Sequence, residues 1–365
     1  MAKVTYLFGA GASAGNGTLP ITKEIPQILY GLYREIEEYK IDDSIGFTDV
    51  GEGNIIFEIR DKLVSDLKWL HENVSKHSSI DTLAKKLYLT KKSEDLDRLK
   101  FAFSAFLAYL QSCKGGTMDR RYDTFLASIL SERSDWKPVL PNNIKVLSWN
   151  YDFQLELAFK QYYNSNLTIT DIKDDVKSIS TYNFTNNIRV SNGFQIIKLN
   201  GNCCNFYFDE NPDMWGQEVD LFILDEKFSI IDFIIGYYKS IKKEPYKYCG
   251  IQFAWEDPHG KLFNRHKSDQ NSFVDFVKDS IKETEVIVVV GYSFPFFNRK
   301  IDQEIFKNLQ NDRIQKVYIQ DVYPDNIVMK FKATAPHISD EKINVIRVNP
   351  DNENEEFFLP YELSL

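Results

Sequence analysis

Short apolar runs rich in β-branched residues alternate with longer stretches of helical periodicity along most of this chain. The first run, Lys3–Phe8, opens directly into Gly9-Ala10-Gly11-Ala12-Ser13-Ala14-Gly15, and the spacing beyond it predicts a helix at Ile21–Tyr30. Asn54–Val74 places Ile55, Ile56, Ile59, Leu63, Leu67 and Leu70 near one helical face, and Ser79–Tyr88, Asp95–Cys113 and Tyr122–Leu130 repeat that period. Strands return at Ile144–Ser148 and Gln195–Leu199, with a helix at Phe153–Tyr163 between them. Ser272–Thr284 reads as a helix feeding Glu285–Val290, whose unbroken apolar run is that of a strand buried on both faces. A helix at Lys300–Leu309 and strands at Lys316–Gln320 and Asn344–Val348 complete the series.

Strands alternating with helices predict an α/β fold, with a Rossmann-like parallel sheet, helices on both of its faces, and one domain spanning residues 1–365. The helical segments at about residues 40–135 read as an insertion or subdomain within it. Its Phe-rich stretch at 101–110 suits either a core helix or an assembly surface.

Composition narrows the function classes. The 365 residues are 43% hydrophobic and 27% charged, an ordinary globular balance. The formal net charge of −9 disfavours non-specific nucleic-acid binding, so no direct nucleic-acid partner is expected. No apolar run approaches the roughly 18 residues that span a bilayer, and the start shows no secretory leader pattern. A cytoplasmic protein without a membrane partner is therefore expected. Cys113, Cys203, Cys204 and Cys249 form no Cys-x-x-Cys pair, so reduced thiols and no bound metal are expected.

The candidate chemistry sits where strands end. A strand running into a glycine turn builds a phosphate cradle, because glycine lets the backbone approach a pyrophosphate closely and a following helix N-terminus offers free N–H groups. Such turns also occur in purely structural βα units. The third glycine, Gly15, does not fit the usual dinucleotide spacing, and Gly15–Thr22 reads instead as a polar loop entering the next helix. Parallel sheets bind ligands beyond the carboxyl ends of their strands. Those ends read Gly9-Ala10-Gly11-Ala12-Ser13, Ser148-Trp149-Asn150-Tyr151-Asp152, Asn200-Gly201-Asn202, Gly291-Tyr292-Ser293-Phe294-Pro295 and Asp321. Small and polar residues thus close five strands, as a shared site requires.

The set Gly-Ala-Gly-Ala-Ser, Trp-Asn-Tyr-Asp, Lys-Leu-Asn-Gly and Gly-Tyr-Ser-Phe-Pro, in that order, resembles the sirtuin superfamily. It is most similar to the SIR2-like proteins of bacterial antiphage defence, over about residues 4–325, and Ile80-Asp81-Thr82-Leu83-Ala84 also looks like that group. The resemblance implies NAD+ as substrate, with Gly9, Ala10, Gly11, Ala12 and Ser13 at the pyrophosphate. It implies Asn150 at the nicotinamide ribose and the attacking water, and Asp152 ordering that pocket. It further implies Gly291, Tyr292 and Ser293 at a phosphate or the adenosine ribose, and Asp321 at the adenosine end. Asp152 also suits a plain helix cap before Phe153.

One departure bears on the chemistry. Members with the active pattern carry Leu-His-Gly, whereas this chain has Asn200 there, and asparagine cannot take a proton at neutral pH. None of His71, His77, His259, His266 and His337 falls in a motif, although His259 and His266 lie on a long loop region. The zinc module of the protein deacylases, two Cys-x-x-Cys pairs, is absent. Two functions follow as expectations. The first is an NAD+ hydrolase that releases nicotinamide and depletes NAD+ in abortive infection, held in check by homo-oligomerisation or a separate regulatory partner protein. The second is a catalytically weak module that binds NAD+ or ADP-ribose and signals to a partner.

Overall fold

The computed structural model describes residues 2–15, 18–40, 53–112, 119–132, 138–163, 167–181, 184, 188–207, 216–218, 230–242, 248–256, 272–349 and 356–363. Contacts divide the chain into two compact units. One holds residues 1–18, 118–202 and 254–365, and the other residues 19–117 and 203–253.

The first unit is built on a seven-stranded sheet whose spatial order is Ile343–Arg347, Lys316–Asp321, Val286–Val290, Val4–Phe8, Ile144–Ser148, Gln195–Lys198 and Ile179–Ser180. Every pairing in it is parallel. This is the Rossmann-like α/β arrangement that the alternating pattern predicts. Val4–Phe8 is fully buried and pairs in register on both sides, Phe8 with Val290 and with Ser148. Its odd and even residues enter two separate cores. Tyr6 and Phe8 join Val146, Val288 and the helices Arg120–Ile129 and Gln154–Lys160 on one face. Leu7 joins Leu147, Val289, Ile319 and the helices Phe273–Ile281, Arg299–Phe306 and Pro324–Thr334 on the other. Helices therefore cover both faces, and the β-branched runs are hydrophobic throughout because neither side meets water.

After Val4–Phe8 the chain builds strands to one side, and only at Val286 does it return to the other. The order thus reverses beside the first strand, which is where doubly wound sheets open a ligand crevice. Here two turns meet backbone to backbone. Gly11 N–H donates to the Gly291 carbonyl at 3.0 Å, and Gly9 N–H to that of Val290 at 3.1 Å. Gly291 sits at φ +56°, and a Cβ on it would lie 2.4 Å from the Gly11 carbonyl carbon. Glycine is required there twice over, by dihedral and by space.

The second unit contains the helices Ile25–Glu38, Gly53–Val74, Ile80–Leu89, Ser93–Ser112 and Ile230–Lys242. Its three-stranded sheet orders Gly216–Glu218, Gly201–Tyr207 and Tyr248–Ile251, all but the first two residues of the middle strand lying in this unit. Buried Asp66 ties three of the helices together, accepting from Lys62 at 3.0 Å, from Arg98 at 2.6 Å and from the Tyr238 hydroxyl. The Phe-rich segment is core: Phe101, Phe103 and Phe106 are all buried. The helical run expected at about 40–135 contains three of these helices, Gly53–Val74, Ile80–Leu89 and Ser93–Ser112, and the helix Arg120–Ile129, which belongs to the sheet unit. Residues 41–52, 113–118 and 133–135 of that run lie outside the described residues. Cys203, Cys204 and Cys249 are buried free thiols. Among the described residues no helix is long and apolar enough to cross a membrane.

Gly291→Ala should lower stability by about 3 kcal/mol or more, since strain and collision act together. Gly31→Ala, at an exposed helix position where an added Cβ meets nothing within 4 Å, should raise it by about 1 kcal/mol. The urea midpoints of the two variants are expected to move in opposite directions.

Candidate functional site

The glycine turn does not lead into an α-helix. It closes as a four-residue 3-10 turn, Ala10–Ser13, and the next helix begins at Ile25 instead of Ile21 and belongs to the other unit. Pro26 fixes that start, since proline suits the first turn of a helix and not its interior. What the turn offers a phosphate is therefore its own backbone, exposed at Ala10 and half-buried at Gly11, with Ala12 and Ser13 buried beneath.

Ser13 is the hub of the cluster below the turn. Its Oγ accepts from Asn150 Nδ2 at 3.1 Å and meets the Tyr122 hydroxyl at 3.0 Å, and the hydroxyl favours the ionised form of the Asp152 carboxyl. The second hydrogen of Asn150 Nδ2 goes to the Gly9 carbonyl at 2.9 Å. Asn150 thus locks the turn after the first strand to the turn after its neighbour. Asn200, one strand further on, donates to the Trp149 carbonyl at 3.1 Å. Three of the five strand ends are joined directly in this way.

Asp152 is buried, and burial holds its carboxyl above the usual carboxylate range. The Lys198 charge, the Gln154 N–H at 3.1 Å and the Ser13 hydroxyl pull the other way, while Glu156 reinforces the rise. Lys198 is itself buried at the end of its strand, donating to the Asp152 carbonyl at 2.6 Å and pairing with Glu156 at 3.2 Å. Ser178 donates to the other Glu156 oxygen at 3.0 Å. A buried cation is tolerable only with such partners, and removing either charge would strand the other. Asp152 accepts from the first N–H of the helix Gln154–Lys160, but the cap position belongs to Phe153 and no side chain caps it, so the carboxyl fastens the turn one residue ahead of the helix and is not its cap.

A clip holds the turn from outside. Asp119 accepts from Gly15 N–H at 2.7 Å and from Arg121, whose Nη2 also donates to the Gly11 and Ala12 carbonyls at 2.9 and 3.2 Å. A Cβ on Gly15 would fall 2.5 Å from Asp119 Oδ2. The Arg121 guanidinium lies 5.0 Å over the Phe357 ring, and its contact with the glycine backbone is one to which the sequence did not point.

A second clamp lies on the other face. Asp302, on Arg299–Phe306, accepts from Trp149 Nε1 at 3.1 Å and from the Tyr292 hydroxyl at 2.7 Å. Asn298 Nδ2 donates to that hydroxyl at 3.0 Å, and the two rings stack at 6.0 Å with planes 9° apart. Burial pushes the Asp302 carboxyl up to about 8, with the two donors opposing. Tyr292 is therefore core through its ring, and the 291–293 turn presents backbone. Ser293 is exposed, with its carbonyl accepting from Lys330 at 2.8 Å. Asp321 caps its own turn through Tyr323 N–H at 2.9 Å, and no hydrogen bond joins it to the Ser13 cluster.

Several buried polar atoms near these strand ends have no partner among the described residues: Asn200 Oδ1, Asn202 Oδ1 and Gln154 Nε2. Leaving a buried acceptor unmade is costly, on the order of 1–3 kcal/mol each, so the cluster suits a ligand rich in hydroxyls and amides. The described histidines all bond backbone carbonyls elsewhere: His71 that of Pro26, His77 that of Asn73 and His337 that of Leu309. His259 and His266 lie outside the described residues.

Because the Asp302 carboxyl is raised on folding, the stability it lends is complete below about pH 4, its ordinary value, and is lost as the pH climbs to about 8. The stability difference between wild type and Asp302→Asn should therefore shift against wild type across that window, and a pH-independent difference in melting temperature would refute the assignment.

No family model matches this chain and no curated protein does, so the geometry of the cluster carries the functional reading.

Proposed function

We propose that this chain is an NAD+ hydrolase of SIR2-like type, cleaving the nicotinamide N-glycosidic bond to give nicotinamide and an ADP-ribose product. The observation that carries the reading is the joining of the Gly9–Ser13, Asn150–Asp152 and Asn200 strand ends in one buried polar cluster that still holds an unmet acceptor, Asn200 Oδ1. Ribose hydroxyls and a carboxamide are donors of the kind that acceptor lacks. The motif resemblance supplies the substrate.

The chemistry asks little of a proton-transfer group. The leaving group is already a cationic pyridinium, and bond breaking passes through an oxocarbenium-like state. Asp152, when ionised, would stabilise that positive charge from a site shielded from water. Asn150 would hold the sugar against the glycine turn. Asn200 would accept from a hydroxyl in place of the family histidine, without taking its proton. Because Asp152 is raised by burial, turnover should climb with pH through its ionisation and then level off.

A binding module is the second reading, and Asn200 favours it: the carboxyl of the cluster, Asp152, is enclosed by its own partners, and no described histidine bonds into it. On either reading the biological role follows the resemblance, an effector or sensor in abortive antiphage defence under the control of a homo-oligomer or a partner protein.

Nicotinamide release from NAD+ by the purified protein decides between them. An Asn150→Ala variant is expected to lose about 100-fold or more of the activity, and Asp152→Asn to lose both activity and its pH dependence. Saturable NAD+ or ADP-ribose binding without release, alone or with a partner, would favour the module. The absence of both binding and release would end the nucleotide reading altogether.

A further inference from the structure

At the opposite rim of the sheet, below the amino ends of Ile144–Ser148 and Gln195–Lys198, a cleft of about 410 Å³ opens between Leu140, Phe159 and Phe194. That volume is within the range of small-molecule sites. Its polar rim is formed by Tyr163, Asp175 and Lys177. Lys177 is held at φ +50°, a left-handed conformation that a lysine adopts at some cost, and its Nζ donates to Ser191 Oγ at 3.0 Å. The turn it touches carries a second ammonium. Lys145 Nζ donates to the carbonyls of Ser191 and, at 2.7 Å, of Gly193, and Gly193 lines the cleft.

Two cations are thus fastened to one turn, and among the described residues neither lies within ion-pair distance of a carboxylate. Lys145 is lowered to about 8 by burial, then by the Lys177 charge and by that of Lys3. Lys3 is neutralised in part by its pair with Glu283. Asp175 bears the one acidic group on the rim, and it is engaged by the Tyr163 hydroxyl at 2.6 Å. Subtracting that charge from the two ammonium groups leaves an excess of positive charge beside an apolar wall.

We propose that this cleft binds a small carboxylate with an apolar or aromatic body, its anion on Lys177 and its body against Phe159, Phe194 and Leu140. An anion there would relieve the repulsion that Lys145 feels, so binding would draw a proton onto Lys145 and would weaken as the pH rises from 7 to 9. The site stands apart from the strand-end cluster and does not rest on the proposed hydrolase activity.

Benzoate and its neutral isostere benzamide, titrated into the full chain by calorimetry or ligand-observed NMR, test it. Benzoate should bind about tenfold more tightly than benzamide at pH 7, with the gap narrowing by pH 9. Lys177→Gln, which keeps a donor for Ser191 but no charge, should weaken benzoate by about tenfold and leave benzamide unchanged. Lys145→Met should flatten the pH dependence, provided its circular dichroism matches that of wild type; if that variant unfolds, proton uptake on binding, measured by wild-type calorimetry in buffers of different ionisation enthalpy, reads the same linkage. Equal binding of the two probes, benzoate binding untouched by Lys177→Gln, or no binding at millimolar benzoate would overturn the proposal.

Discussion

The approach of two turns to within backbone contact, Gly9–Gly11 against Gly291, sets the geometry of everything at the carboxyl end of the sheet. The bonds there run main chain to main chain, and the space is too small for a Cβ on Gly291. With that contact made, the reversal point of the sheet is pinned, and Asn150 can reach from the neighbouring strand to the Gly9 carbonyl and Ser13. Main-chain bonds continue to either side, from Trp149 N–H to the Phe8 carbonyl, from Leu199 N–H to that of Ser148 and from Gly291 N–H to that of Gln320. Charge adds to them: Asp119 and Arg121 outside the turn, Lys198 and Glu156 under Asp152, and Asp302 behind Trp149 and Tyr292.

These three charged devices share a logic. Each buries an ionisable group and satisfies it with donors or acceptors from a different stretch of chain, so each is stable only as a completed set. Desolvation without full compensation also explains why Asp152 and Asp302 are both raised while their lysine, tyrosine and tryptophan partners pull against the shift. The candidate site is thereby rigid in its frame. Of its unmet atoms, Asn200 Oδ1 is on a side chain that the bond to the Trp149 carbonyl holds in place.

The strands were legible because burial on both faces demands unbroken apolar runs, and Val286–Val290 and Val4–Phe8 are such runs. Strand ends were legible for the complementary reason: polar residues directly after an apolar run have few structural uses. Helix starts were less so. Ile21 fits the period of Ile25–Glu38, and only the Pro26 preference places the start later. The short strand Ile179–Ser180 and the helix Ile169–Asp175 are too brief for periodicity to register. Asp119, Arg121, Lys198, Glu156 and Asp302 carried no local signal of a role, because each depends on at least one partner that is distant in sequence, as Asp119 does on Gln154, 35 residues away, and Arg121 on Gly11, 110 residues away. A charged residue on an amphipathic helix looks solvated until the fold shows that it is enclosed.

The central strand is made before either of its neighbours. Val4–Phe8 takes one hydrogen-bonded neighbour from residues 144–148 and the other from residues 286–290. A ribosome releasing this chain has therefore emitted the glycine turn long before the residues that close over it exist. Pairings so distant in sequence are slow to form, because the entropy of a long loop must be overcome before any contact offsets it. The nascent protein thus has no assembled crevice until residues 286–290 have folded back onto residues 4–8, and whatever the finished site does begins only then.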